Sequence, residues 1–270
     1  MALNDINLAG GMRANLLNLQ LVSALQNRTT ERLATGKRVN SAVDDAAAFF
    51  ASQNHLSRAG DLSALKAAMG ESIQTVKAAS EGIKAITSLI EQAKGLAASA
   101  RSASVADRAT LATQYDALLT QIDQLALDAG YKGTNFLAAG SLTVTFNEGA
   151  TSSLTITGVD ASSTGLAIGT AVAAWATDPN IDTAVTSLNA GLTTLRTQAS
   201  TLSSNNSVVT TREMFTNDMI NTLTAGADAL TSADSNEEGA NMLALQTRQQ
   251  LGVVALSLSS QAQQSILRLF

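Results

Sequence analysis

Cysteine is absent from the 270 residues, which excludes disulfides and thiolate metal sites and leaves cohesion to packing alone. Proline occurs once and aromatic residues supply 3% of the chain, so little interrupts a long helix. Charged residues make up 14%, against about 25% in ordinary domains, an early sign of surfaces not meant for water. With His55 as the only histidine, an HExxH zinc site or a Ser-His-Asp triad has no basis, and no cofactor is expected. A net charge of −5 offers no basic field, so nucleic acid is not expected as a partner. The most apolar stretch near the C-terminus, residues 252–258, is far short of the roughly 20 residues that cross a bilayer, and no membrane insertion is expected. The first twelve residues carry Asp5 but no Lys or Arg, and no apolar h-region follows. Any export should therefore use a route other than a conventional secretory signal.

What is present is helical periodicity, within a 45% apolar composition that suffices for one large or two modest domains. Leu8, Met12, Leu16, Leu19, Val22, Leu25 and Leu33 recur at steps near three and four, predicting one amphipathic helix over 4–33. The pattern breaks at 35–40, and Ser41 with Asp44 fits a capping signal for a second helix. From Leu62 the stripe is strict through Leu65, Met69, Ile73, Val76, Ala79, Ile83, Ile86, Ile90, Ala93 and Ala97, as in a helix packed lengthwise. Ser104 and Asp107 repeat the capping signal ahead of a shorter helix that ends around Gly130. Residues 141–146 and 153–157 alternate at period two around Asn147-Glu148-Gly149-Ala150, predicting a β-hairpin. Asp178 before the single proline reads as an N-cap, and Leu188, Leu192, Leu195, Ala199 and Leu202 restart a helical stripe. Ser235 with Glu238 is a third capping signal, opening a last helix through Leu251, Val254, Leu258, Ala262, Ile266 and Leu269. The fold class predicted is mainly α: a long antiparallel helical rod or coiled coil, with a small β-hairpin region at about 130–170 as its tip.

The polar faces are unusual. From residue 239 to the end only Arg248 and Arg268 are charged, and six Gln occupy the face that Lys and Glu would normally solvate. The first helix is similar, with Asn4, Asn7, Asn15, Asn18, Gln20, Gln26 and Asn27. Neutral amides are desolvated far more cheaply than charges if their hydrogen bonds are remade. Both terminal helices are therefore expected to be surrounded by other protein, with subunit-interface positions at Leu16, Leu19, Val22, Leu25, Leu33, Leu251, Val254, Leu258, Ile266 and Leu269. Their seams are expected to lack mates within the chain and to order only on association.

The run Glu31-Arg32-Leu33-Ala34-Thr35-Gly36-Lys37-Arg38-Val39-Asn40-Ser41-Ala42-Val43-Asp44-Asp45-Ala46-Ala47 resembles the N-terminal signature of bacterial flagellins. Gly130-Tyr131-Lys132-Gly133-Thr134-Asn135-Phe136-Leu137 is similar to that family's turn into its β-region, and residues 261–270 resemble its C-terminal tail. The resemblance covers effectively the whole chain. It implies a structural subunit of the bacterial flagellar filament, secreted and self-assembling into a helical homopolymer for swimming. Residues 1–43 and 236–270 would then form the inner, channel-lining domain, and 44–235 the surrounding helical rod domain. No room remains between Leu137 and Pro179 for the outer domains of longer flagellins. Export through the flagellar type III apparatus, a C-terminal export chaperone, the filament cap and hook-junction proteins are implied as partners. Two segments depart from the family pattern, Ala48-Phe49-Phe50 and Lys66-Ala67-Ala68-Met69-Gly70. A third occupies the epitope read by an innate receptor, where many flagellins carry Arg-Val-Arg-Glu-Leu and this chain has Gln92, Ala93, Lys94, Gly95 and Leu96. Weak recognition is expected there, because a guanidinium and a carboxylate are both missing.

Asp44 and Asp45 could form a catalytic or metal-binding pair, but carboxylates in a first helical turn are favoured by the helix dipole alone. Gly36-Lys37 lacks the upstream glycine and the following Ser or Thr of a phosphate loop. Without a base, nucleophile or ligand cluster the chain is not expected to be an enzyme. A hook-filament junction protein, and less so a secreted helical adhesin, remain as alternatives to the filament subunit.

Overall fold

The computed structural model describes residues 10–267. Among them the chain is mainly α: α1 (Gly10–Thr35), α2 (Ala46–Ser102), α3 (Val105–Asp128), α4 (Asp178–Thr231) and α5 (Ser235–Leu267), with a two-stranded sheet of β1 (Ser141–Thr145) and β2 (Ser153–Thr157). No helix among the described residues is long and apolar enough to cross a membrane. The helix expected over 4–33 is described from residue 10 and runs on to 35, residues 4–9 with Asn4, Asn7 and Leu8 lying outside the described part. Two compact units divide the chain: residues up to 57 with those from 222 onward, and residues 58–221. α2 and α4 contribute to both.

The second unit is built on the strict stripe of α2. Met69, Ile86, Ile90, Ala93 and Ala97 are fully buried and share one core with Tyr115 and Ile122 of α3 and Leu188 and Leu195 of α4. α2 and α4 run antiparallel here, as the Lys66 Nζ to Asn217 Oδ1 hydrogen bond of 2.8 Å and the Arg101–Asp182 ion pair fix. Full burial of a single large aliphatic side chain is worth roughly 1.5–3 kcal/mol, so this seam is a main contributor to the stability of the unit.

Between α3 and β1 the chain turns through residues 130–140. Asn135 Nδ2 donates to the Ala126 and Leu127 carbonyls at 2.8 and 3.0 Å, satisfying the orphan acceptors at the end of α3. Its Oδ1 accepts from the Leu137 amide at 2.8 Å. Phe136 and Leu137 are thereby driven into the core, where both are fully buried. Gly82 of α2 makes room for Leu137, since a Cβ there would stand 2.6 Å from Leu137 Cδ1.

The hairpin pairs in the expected register region, with Leu142 opposite Ile156 and Val144 opposite Leu154, so the apolar residues of both strands share one face. The turn that leads into it is clipped to α2 by Glu71, whose Oε2 lies 2.9 Å from Lys132 Nζ and 3.1 Å from the Tyr131 hydroxyl. Hydrogen bonds from Lys132 and then Tyr131 hold the Glu71 carboxyl below its ordinary value. A depressed carboxylate contributes stability above its unfolded value and loses it as pH falls through the folded one. Glu71→Gln is accordingly expected to lower stability near neutrality and to make no difference in acid; urea midpoints of both proteins across that range check it.

Three of the four expected helix caps need correction, and the one at α3 holds. Ser41 and Asp44 do not cap α2: they close a turn in which Asp44 Oδ2 accepts from the Asn40 and Ser41 amides. The cap is Asp45, one residue nearer the helix, whose Oδ1 accepts from the Ala48 amide at 3.0 Å. Ser235 likewise lies inside α5, because Asp234 supplies a stronger acceptor for the Asn236 and Glu237 amides, and Glu238 turns instead to an ion pair. Asp178 is the first residue of α4 and not its cap, its carboxylate held by Arg108 at 2.8 Å. At α3, Ser104 is the N-cap, accepting from the Asp107 amide, and its hydroxyl meets the Asp107 carboxylate at 2.6 Å.

The second unit also holds a turn that no residue preference selects. Ala173, Ala174 and Trp175 stand consecutively at φ of 46°, 48° and 58°, a left-handed turn without glycine. Each such residue costs about 1–2 kcal/mol. Trp175 offsets this by complete burial, packed at a tilt with 4.9 Å between ring centroids against Tyr115 of α3. Burial pushes the Tyr115 phenol up to about 12, and its hydroxyl donates to the Gly169 carbonyl, tying the same loop to α3.

Candidate functional site

The first unit carries the surface that composition singles out. α1 and α5 lie antiparallel, paired at one end by Asn15 Nδ2 and the Gly252 carbonyl (3.4 Å) and at the other by Arg32 Nη1 and Glu238 Oε1 (2.8 Å). Met12 and Leu245 are buried in the pair, and Leu19 and Val22 are half-buried. This corrects the expectation that the terminal seams have no mates inside the chain: one side of each helix packs on the other.

The remaining arc of both helices is apolar and wet. Leu16, Leu17, Leu21, Leu25 and Leu33 of α1 are exposed, as are Leu243, Leu251, Val253, Val254 and Leu258 of α5, with Leu17 at 65% and Leu258 at 68%. Of the expected interface positions, the structure thus leaves Leu16, Leu25, Leu33, Leu251, Val254 and Leu258 on the free surface and turns Leu19 and Val22 inward. Leu269 and the side chain of Ile266 lie outside the described residues. Leu17, Leu21, Leu243 and Val253 were missed by following a single stripe; the doublets Leu16-Leu17, Leu21-Val22 and Val253-Val254 signal the broader arc. No charge falls between residues 14 and 27 of α1, and α5 carries none after Glu238 save Arg248 up to residue 267. Covering ten such side chains at roughly 1 kcal/mol or more apiece exceeds the low end of the 4–15 kcal/mol lost on association.

The signature run ties this helical pair together. Gly36 ends α1 in the left-handed conformation, φ +67°, that glycine adopts without strain. Beyond it the Arg38 and Val39 amides donate to the Thr231 carbonyl at 2.7 and 3.2 Å, and the Ala233 amide donates to the Gly36 carbonyl at 2.9 Å. The α1–α2 and α4–α5 connections are therefore stitched to each other, with Val39 buried beneath them. Asp44 adds Arg28 at 3.5 Å; the Ser41 and Asn40 amides, the Ser41 hydroxyl and that guanidinium hold its carboxyl below the ordinary value. Both members of the Asp44–Asp45 pair are thus occupied by backbone donors. Among the described residues no cluster of His, Asp and Glu could hold a metal ion.

Gln92, Lys94, Gly95 and Leu96 lie on α2 in the second unit. Lys94 reaches Glu91 at 3.5 Å, and Gln92, Gly95 and Leu96 line a shallow groove with Ser99, Gln114, Ala117 and Leu118.

A mainly helical chain with an uncharged, apolar outer arc on its paired end helices has the build of a structural protein. Its residues 6–141 match the bacterial flagellin N-terminal helical region and residues 179–270 the bacterial flagellin C-terminal helical region. Flagellin FljM of Caulobacter vibrioides is 31% identical over the full length of both chains. Flagellin FljK of the same organism is 30% identical, again over the whole of both. A flagellin of Brucella melitensis is 29% identical over 96% of this chain and 99% of its own. The chain belongs to the bacterial flagellin family: it is a structural subunit of the flagellar filament, secreted and polymerising outside the cell. A junction protein or an adhesin is not favoured by matches of this extent.

Proposed function

We propose that the α1–α5 pair makes the principal contacts of the polymer, with residues 1–43 and 236–270 as its inner, channel-lining layer and 44–235 as the layer around it. The observation that carries this reading is the exposed apolar arc on two helices that lack solvating charge. Each subunit meets its neighbours through different patches, and because the rotation between copies does not close, the contacts propagate into a helical tube. The same exposed residues of α5 suit capture by an export chaperone before assembly, and the filament cap and hook-junction proteins would meet this surface at the two ends of the polymer. Hydrogen exchange tests the reading: amides at 14–27 and 239–262 should become strongly protected on polymerisation, while those at 83–97 change little. Equal protection of α1 and α5 in monomer and filament would refute it.

The groove at Gln92, Gly95 and Leu96 presents neither a guanidinium nor a carboxylate of its own, being completed by Ser99, Gln114, Ala117 and Leu118, and beside it Lys94 pairs with Glu91. Weak signalling through the innate flagellin receptor follows, and full-strength signalling by purified protein in a reporter cell would contradict it.

A further inference from the structure

Gly252 stands in the interior of α5, where glycine weakens a helix and an alanine would ordinarily be preferred. Its surroundings explain the exception. A Cβ at this position would meet Leu19 Cδ2 at 2.7 Å, closer than carbon atoms pack, and Leu19 Cγ at 3.1 Å, tighter than nearly all such contacts. The missing side chain is a notch in α5, and Leu19 of α1 is the knob seated in it. Asn15, one turn before Leu19 on α1, donates to the carbonyl of the same glycine.

Knob and notch lie amid the exposed residues of each helix. Leu16, Leu17 and Leu21 flank Leu19, and Leu251, Val253 and Val254 flank Gly252. With the helices antiparallel, seating Leu19 in Gly252 brings those two apolar groups to the same level. At the far end the Arg32–Glu238 pair, with Glu238 only 8% exposed, agrees with the same stagger. Sliding one helix by a turn, about 5.4 Å, would separate the two groups and break both contacts.

We propose that Gly252 and Leu19 are positioning residues for polymerisation: they fix the stagger of α1 against α5 so that the exposed residues of both helices form one continuous surface for the neighbouring subunit. This rests on the reading that α1 and α5 carry the polymer contacts.

The test compares elongation of short filament seeds by the full-length wild type, by Gly252→Leu, and by Gly252→Leu combined with Leu19→Ala, which reverses knob and notch. Leucine is a better helix former than glycine, so loss of growth in the single variant must come from the contact and not from the helix. Overpacking predicts elongation about tenfold slower or worse for Gly252→Leu, with recovery to within about threefold of wild type in the double variant. Trp175 fluorescence, in the second unit, should be unchanged in both. Wild-type growth by Gly252→Leu, or a double variant no better than the single one, would overturn the proposal. Serine at Leu251, Val254 and Leu258 separates the two levels: if that variant also grows normally, the reading of the surface itself has failed, whereas if it alone stops growth, only the stagger device has.

Discussion

Replacing Leu251, Val254 and Leu258 by serine is expected to abolish growth from filament seeds while leaving the second unit folded. All three side chains are more than half exposed, at 64%, 64% and 68%, so their loss removes little from the isolated chain. In a subunit contact the same three would each contribute roughly 1.5–2 kcal/mol of burial, and serine hydroxyls would add a desolvation cost. The combined change, about 5 kcal/mol or more per contact, corresponds to over a thousandfold in affinity and is repeated at every subunit. Electron microscopy of seeded mixtures gives the first readout and circular dichroism of the soluble protein the second. Filaments of ordinary length from the variant would contradict the assignment of this surface.

The second large effect lies away from that surface. Trp175→Ala is expected to destabilise the second unit by about 3–5 kcal/mol, in the range for truncating a buried aromatic residue. The indole is fully buried against Tyr115, and three consecutive left-handed residues depend on it. Alanine at 175 keeps the backbone strain and loses the packing that offsets it, so the connection into α4 should open as well. Its Nε1 has no hydrogen-bond partner among the described residues, so packing and not polarity is what the substitution removes. Urea denaturation followed by circular dichroism measures the change; a midpoint within error of wild type would show that the turn is held by something else. Being the only tryptophan, Trp175 also reports unfolding of this unit in every other variant.

Much of the fold was legible because its signals are periodic. The α2 stripe from Leu62 to Ala97 predicts burial that the core displays, and strict alternation in 141–145 and 153–157 predicts the hairpin. Helix caps were less legible, because carboxylates and hydroxyls compete over one or two positions. Asp45 and Asp234 win over Ser41 and Ser235 because an ionised oxygen beside the first free amides is the stronger acceptor. The turn at 173–175 was illegible, since alanine and tryptophan carry no preference for the left-handed region and only tertiary packing on Tyr115 selects it. For the assembly surface, composition revealed which helices are uncharged but not which side of each faces the other. Leu19 and Leu16 are equivalent in a periodic pattern, and only the glycine opposite distinguishes them.

The absence of cysteine allows the central claim to be measured directly. A single cysteine placed at Leu258, and in a second protein at Leu17, should react quickly with a maleimide in the monomer, where both positions are more than 60% exposed. In assembled filaments the account predicts that both labelling rates fall by about a hundredfold or more, as expected for side chains in a packed core. Equal labelling of monomer and filament at both positions would contradict it.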